Sequence, residues 1–212
     1  MRTVAESKQE RAVRTRRQVL VSAAELFDAY GFAGTSISRI CERAETTAGA
    51  LYHHFGSKEG LAKAIMNAQP DTILPWLESE GLQRLVDITL IWAHQLQTDP
   101  LLRAGVRLTG EQATFGVQDA SPYEDWTRIM EECLGVAAEK GELQADVTPR
   151  NVAEFVVEAC TGVQTVAAVL TGRSDLAARA VRMWQFLLPG IAAKDVVVRI
   201  DLDPARVQVE PV

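Results

Sequence analysis

Proline and glycine cut this 212-residue chain into segments whose apolar residues recur every three or four positions, a period that suits helices rather than strands. Over Lys8–Tyr30, the residues Val13, Leu20, Ala23, Ala24, Phe27 and Tyr30 fall on one stripe, and Gly31 follows where a helix end favours a left-handed residue. Thr35 and Ser36 offer capping oxygens for a short helix over Ile37–Arg43, with Ile37, Ile40 and Cys41 facing inward. A turn at 44–46 leads to a third helix predicted over 47–54. Ser57 then caps a fourth, which runs to about Gln69, where Pro70 should stop it. Two short helices across a tight turn, braced by longer ones, predict a helix-turn-helix.

The same punctuation predicts further helices over 81–97, 100–108, 122–139, 149–170 and 175–188, several opening on a proline that a first helical turn tolerates. Only the tail at 195–212 (DVVVRIDLDPARVQVEPV) alternates apolar and charged residues, which suits either a short strand or an unordered segment. The expected fold class is all-α. A helix-turn-helix domain takes residues 1–69, a larger helical domain 70–194, and a tail 195–212.

Charge separates the two domains. Residues 1–68 hold ten Lys/Arg against seven Asp/Glu, whereas residues 69–212 hold twelve against twenty-one. A basic head on an acidic body, with Arg11, Arg14, Arg16 and Arg17 clustered in the first helix, confines a polyanion partner to the head. The net charge of −6 excludes a uniformly basic nucleic-acid coat. No stretch of 18 apolar residues reads as a membrane span, and the charged start MRTVAESKQERAVRTRRQVL lacks the apolar centre of a secretory signal. Cys41, Cys133 and Cys160 are widely spaced with no CxxC, which fits buried thiols in a reducing cytoplasm. No glycine-rich phosphate loop, GxSxG or HExxH occurs, and His53, His54 and His94 do not pair with the cysteines at metal-ligand spacing. The acidic pairs Glu124–Asp125 and Glu131–Glu132 read as solvated helix faces. The expectation is a cytoplasmic, non-enzymatic protein without cofactor, metal or membrane partner.

The stretch AAELFDAYGFAGTSISRICERAETTAGALYHHFGSKEGLAKAI at 23–65 resembles the DNA-binding domain of the tetracycline-repressor (TetR) family. Its landmarks are Phe27, Gly31–Phe32, Thr35–Ser36–Ile37, Gly49–Ala50–Leu51–Tyr52, Phe55 and Lys58–Glu59. A recognition helix must carry small and hydrogen-bonding groups to enter a major groove, and Thr47, Gly49 and Ala50 supply small side chains at its front. Tyr52, His54 and Lys58 are expected on phosphates. Arg16 and Arg17 on the first helix and Ser36 and Ser38 on the second are further candidate backbone clamps, Ser36 being equally a plain helix cap. Leu51 and Phe55 read as core. Three positions depart from the family pattern: Ala48 stands where lysine is usual, His53 where an aromatic is usual, and Glu45 where the turn commonly has glycine. Losing the lysine removes one phosphate contact, about one unit of slope in log K against log salt.

The larger domain is similar to the γ-butyrolactone receptors of actinomycetes and their pseudo-receptor relatives. The likeness runs through LQRLVD at 82–87, RAGVRL at 103–108, Trp126 after Pro122, TGVQ at 161–164, GRSDL at 172–176 and Met183–Trp184. It implies a homodimeric repressor on a pseudo-palindromic double-stranded operator, released when a small lipophilic molecule occupies the larger domain. That molecule is a γ-butyrolactone or, in the pseudo-receptor alternative, an antibiotic or biosynthetic intermediate. The resemblance also makes Trp126 a pocket tryptophan, with Gln69 and Thr161 as ligand hydrogen-bonders. Trp92, Phe115 and Gln164 are further candidates for an apolar wall with sparse polar anchors. Phe155, Val156, Ala159, Val163, Val166, Ala167 and Leu170 form an apolar face for pairing with a second chain, and Trp184 belongs either to that interface or to the core.

Overall fold

The computed structural model describes residues 8–207. In chain order its helices are α1 (Lys8–Tyr30), α2 (Ile37–Arg43), α3 (Ala48–Phe55), α4 (Lys58–Asn67), α5 (Gln69–Ile73), α6 (Gly81–Thr98), α7 (Pro100–Glu111), α8 (Ser121–Glu139), α9 (Pro149–Thr171), α10 (Leu176–Ile191) and α11 (Lys194–Val197). Tighter helical turns occupy Leu74–Trp76, Gln112–Phe115 and Pro204–Val207. Among the described residues the only extended pairing is one isolated bridge between Leu143 and Ala192.

Capping chemistry sets the helix starts in the head. Ser36, Thr47 and Ser57 accept the backbone N–H of Arg39, Ala50 and Gly60, and so open α2, α3 and α4. Pro70 does not stop a helix as expected. The fourth helix already ends at Asn67, and Pro70 lies in the first turn of α5, where a missing N–H costs nothing. The tail forms no strand in its described part. Ala193 O accepts from Val196 and Val197 N, which winds the chain into α11 instead. Residues 208–212 of the tail lie outside the described residues.

The chain gathers into two compact units. One takes the chain up to Gln69 together with Asp99–Asp119, and the other takes Pro70–Thr98 and the chain from Ala120 onward. These units differ from the single division expected after residue 69, because α7 packs with the head. The cause is apolar. Ala104 and Leu108 join a core of Val19, Ala23 and Phe27 from α1, Ile40 from α2, Leu51 from α3, and Leu61 and Ile65 from α4. Leu101 and Phe115 pack at its edge. Gly105 permits the close approach of α7, since a Cβ there would lie 2.7 Å from Gln69 Cγ and 3.2 Å from Ile65 O. Polar contacts complete the attachment. Arg103 Nε meets Asp28 Oδ2 at 2.7 Å, and Arg107 donates to Asp28 O at 2.6 Å and Glu111 Oε1 at 2.7 Å. Glu111 also accepts from Phe32 N at 3.1 Å. On α1, Val13 and Tyr30 are exposed, and Val19 and Leu26 complete the buried stripe in their place.

The second unit is built on α6, which is buried along most of its length and packs against α8 and α10, while α9 packs on α8 and α10. Asp87 of α6 is buried yet fully engaged, accepting from Ser79 Oγ, Gln83 Nε2 and Arg206 Nε. That last bond draws the Pro204–Val207 turn onto α6.

Candidate nucleic-acid interface

The link between α2 and α3 requires one left-handed residue, and Glu45 takes that conformation with φ +48°. Glycine is usual there because a side chain costs about 1–2 kcal/mol in this region. Ala44 and Thr46 N–H groups bond back to Ile40 O and Cys41 O, so the turn is short and fixed. Thr35 Oγ1, buried, donates to Leu26 O and Gly31 O and ties the start of α2 to the end of α1. These bonds leave α3 seated on the head by one fully buried side chain, Leu51. Its other face is open: Thr47, Ala48, Gly49, Tyr52 and His53 are exposed, while Ala50 and His54 are half-buried.

This face is also free of acid. No Asp or Glu occurs between Ala29 and Cys41, or between Thr46 and Lys58, although Asp and Glu outnumber Lys and Arg in the whole chain. Arg16 and Arg17 are exposed, and the Arg16 guanidinium lies 5.2 Å from the Phe55 ring centroid, beside the end of α3. Ser36 and Ser38 hydroxyls lie 3.0 Å apart at the exposed start of α2. An exposed helix with small residues in front, hydrogen-bonding side chains behind and no carboxylate suits entry into a DNA groove.

Lys58 does not join that face as expected. Its ammonium donates to Phe32 O at 2.6 Å and lies 4.0 Å from the Phe32 ring centroid, and partial burial lowers its pKa. It holds α4 to the end of α1. Sequence reasoning passed over Arg39, which is exposed on α2 and stacked on Tyr30.

In the second unit, Trp92 on α6 and Trp126 on α8 are both buried, on helices that pack together. The expected polar anchors fare differently. Thr161 Oγ1 donates to Val157 O of its own helix at 2.8 Å. Gln164 is taken up locally, accepting from Arg173 and donating to Thr165, which removes it as a free anchor. Gln69 falls in the head unit, where its amide donates to Met66 O and Thr109 Oγ1. Phe115 likewise belongs to the head, stacked on Phe32 with centroids 4.0 Å apart. Trp184 is 0% exposed and donates from Nε1 to Thr89 Oγ1 at 2.7 Å, so it is core and not interface.

The expected pairing face of α9 is divided. Val156 and Ala167 are buried within the unit, Ala159 and Val163 half-buried, and Phe155, Val166 and Leu170 exposed. Val169 on α9 and Phe186 on α10, at 83% and 80% exposed, are further exposed apolar residues of this unit and were missed. Phe186 lies two residues past buried Trp184 on α10, a spacing that places it off the core stripe. By length and composition α9 is also apolar enough to cross a bilayer, a property it shares with core helices of soluble proteins.

Residues 19–65 match the family model for bacterial regulatory proteins of the tetR family, and residues 79–193 match that of a tetracyclin repressor-like C-terminal domain. The chain belongs to the TetR family. TetR-family proteins are transcriptional regulators and not enzymes. Among relatives, the A-factor receptor protein of Streptomyces griseus is 39% identical over 92% of this chain and 70% of its own length. The solved structure of TylP, a TetR regulator from Streptomyces fradiae, is 37% identical with a TM-score of 0.84, covering 94% of this chain and 89% of its own. A gamma-butyrolactone receptor described as an ArpA-like protein superposes with a TM-score of 0.66 at 30% identity, over 93% of this chain and 97% of its own. Within this TetR chain, α2 and α3 are the helix-turn-helix, and the match to the second family model covers α6 to α10.

Proposed function

We propose that this chain is a cytoplasmic, ligand-released repressor. It binds a pseudo-palindromic operator as a homodimer and leaves it when a small lipophilic autoregulator of the γ-butyrolactone type enters the second unit. The observation that carries this reading is the extent of the likeness to the A-factor receptor protein, 39% identity over 92% of the chain, which spans both units and not the helix-turn-helix alone. Thr47, Gly49 and Ala50 enter the groove, while Arg16, Arg17, Ser36, Ser38, Tyr52 and His54 hold the flanking phosphates. Trp126 lines the ligand site, with Trp92 and Thr161 beside it. The exposed face of Phe155, Val166, Val169, Leu170 and Phe186 pairs two chains, which sets two recognition helices at the spacing of two half-sites.

The test begins with selection of bound sequences from a random duplex pool at low salt, followed by fluorescence anisotropy on the selected operator and on the gene's own upstream region. A panel of γ-butyrolactones and antibiotics is then added. Release by a γ-butyrolactone, abolished by Trp126→Ala, is the expected result. Release by an antibiotic alone replaces the ligand class with that of a pseudo-receptor. Failure to enrich any sequence overturns the repressor reading itself.

A further inference from the structure

Arg39 occupies the first turn of α2, and its own backbone N–H is held by Ser36 Oγ at 3.3 Å. Its guanidinium carbon lies 4.3 Å from the centroid of Tyr30, the last residue of α1, and its Nη1 reaches Gly34 O at 3.4 Å. Both side chains are exposed, Tyr30 at 52%. An aromatic ring left half in water at a helix end gains from a cation laid over its face. The same stack holds the guanidinium plane still, and with Nη1 on Gly34 O it leaves the Nη2 and Nε hydrogens for phosphate oxygens.

The neighbouring cations are differently placed. Arg43, one turn further along α2, is ion-paired with Glu25, and Lys58 is turned onto Phe32. No ion pair to Arg39 is found among the described residues, although the exposed carboxylate of Glu42 follows three positions later on α2. Ser36 and Ser38, with hydroxyls 3.0 Å apart, flank it with further donors. At the start of α3, Ala48 is exposed and supplies no charge.

We infer that Arg39 is a DNA-backbone clamp on the first helix of the helix-turn-helix, and that Tyr30 is the positioning residue that presents it. The inference rests on the repressor reading above. In a helix-turn-helix the first helix crosses the sugar-phosphate backbone while the second enters the groove, so a cation on α2 meets phosphate and carries no sequence preference of its own.

The experiment uses the full-length protein and the selected operator, with affinity measured from about 50 to 300 mM salt. Each phosphate neutralised contributes about 0.9 to the slope of log K against log salt, so Arg39→Ala should flatten the slope by about 0.9 per chain and weaken binding about eightfold per contact at 0.1 M salt. The loss should be uniform across operator variants. Tyr30→Leu should weaken binding with the slope nearly unchanged, because the charge remains and only its placement is lost. Tyr30→Phe keeps the ring and should bind as the wild type. Arg39→Gln repeats the charge removal with a polar side chain if the alanine variant folds poorly, which thermal melts decide. Wild-type slope and affinity in both Arg39 variants would overturn the inference while leaving the repressor reading intact. Wild-type protein that binds no duplex would overturn both.

Discussion

The helix-turn-helix depends on α7, which the chain supplies only after leaving the head and returning to it. A fragment of residues 1–69 keeps α1 to α4 and loses α7 with the Gln112–Phe115 turn. Leu108 is fully buried in the head core, and Leu101 and Phe115 are packed against it. Full burial of one such side chain contributes about 1.5–3 kcal/mol, so losing these three costs about 4–6 kcal/mol. The part-exposed pair Arg103–Asp28 and the bonds from Arg107 to Asp28 O and from Phe32 N to Glu111 add up to about 1 kcal/mol each. A domain holds about 5–15 kcal/mol in all, so the fragment is left near or below its folding threshold. By circular dichroism it should melt without a cooperative transition, and it should not bind operator. A chain in which a flexible Gly/Ser linker joins Gln69 to Asp99–Asp119 should regain the helical signal and a sigmoidal melt. A cooperative melt of 1–69 matching that of the linked chain would refute the assignment of α7 to the head.

Replacing Glu45 by glycine relieves left-handed strain of about 1–2 kcal/mol and restores about 0.4–1 kcal/mol of unfolded-state entropy, leaving a net gain of about 0.5–1 kcal/mol. The melting temperature should rise by about 1–4 °C; no rise would show that the turn carries no strain. Phe186→Glu places a charge on the exposed apolar surface of the second unit, and sedimentation velocity should show dimer converting to monomer with helical content unchanged. An unchanged mass would remove this surface from the interface. Burial pushes the Cys160 thiol up to about 12. The folded value lies above the unfolded one, so this group favours the fold fully below about pH 8.5 and loses that contribution as pH rises toward 12. Urea melts should therefore show stability falling from pH 8.5 to 11, and Cys160→Val should flatten that fall.

How much of this was legible in the sequence follows from the range of each force. Ser36, Thr47 and Ser57 cap their helices through bonds three residues long, so the starts of α2, α3 and α4 could be read from residue type and spacing. Glu45 was marked by the turn, since a left-handed residue is a local need. What failed depends on which surface covers which. The period of 100–108 identifies an apolar face on α7 but not the helix that meets it, and only folding places Leu108 against α1 and α4 rather than α6. Lys58 carries the charge and position of a phosphate contact, yet a carbonyl 26 residues earlier takes its ammonium. Trp184 and Phe186 differ by two positions and could exchange roles on a rotation of α10; Thr89, 95 residues away from Trp184, accepts its indole N–H and settles which of them is inside. The alternation of the tail left a short strand or an unordered segment open, because a period of two needs a neighbouring strand to have meaning, and none exists among the described residues. With Asp87 to bind Arg206 and Ala193 to start a helical turn, the same residues pack without pairing. The local code therefore fixed where helices begin. The partners of each exposed or buried side chain came from residues dozens of positions distant, and these decide which cations remain for DNA.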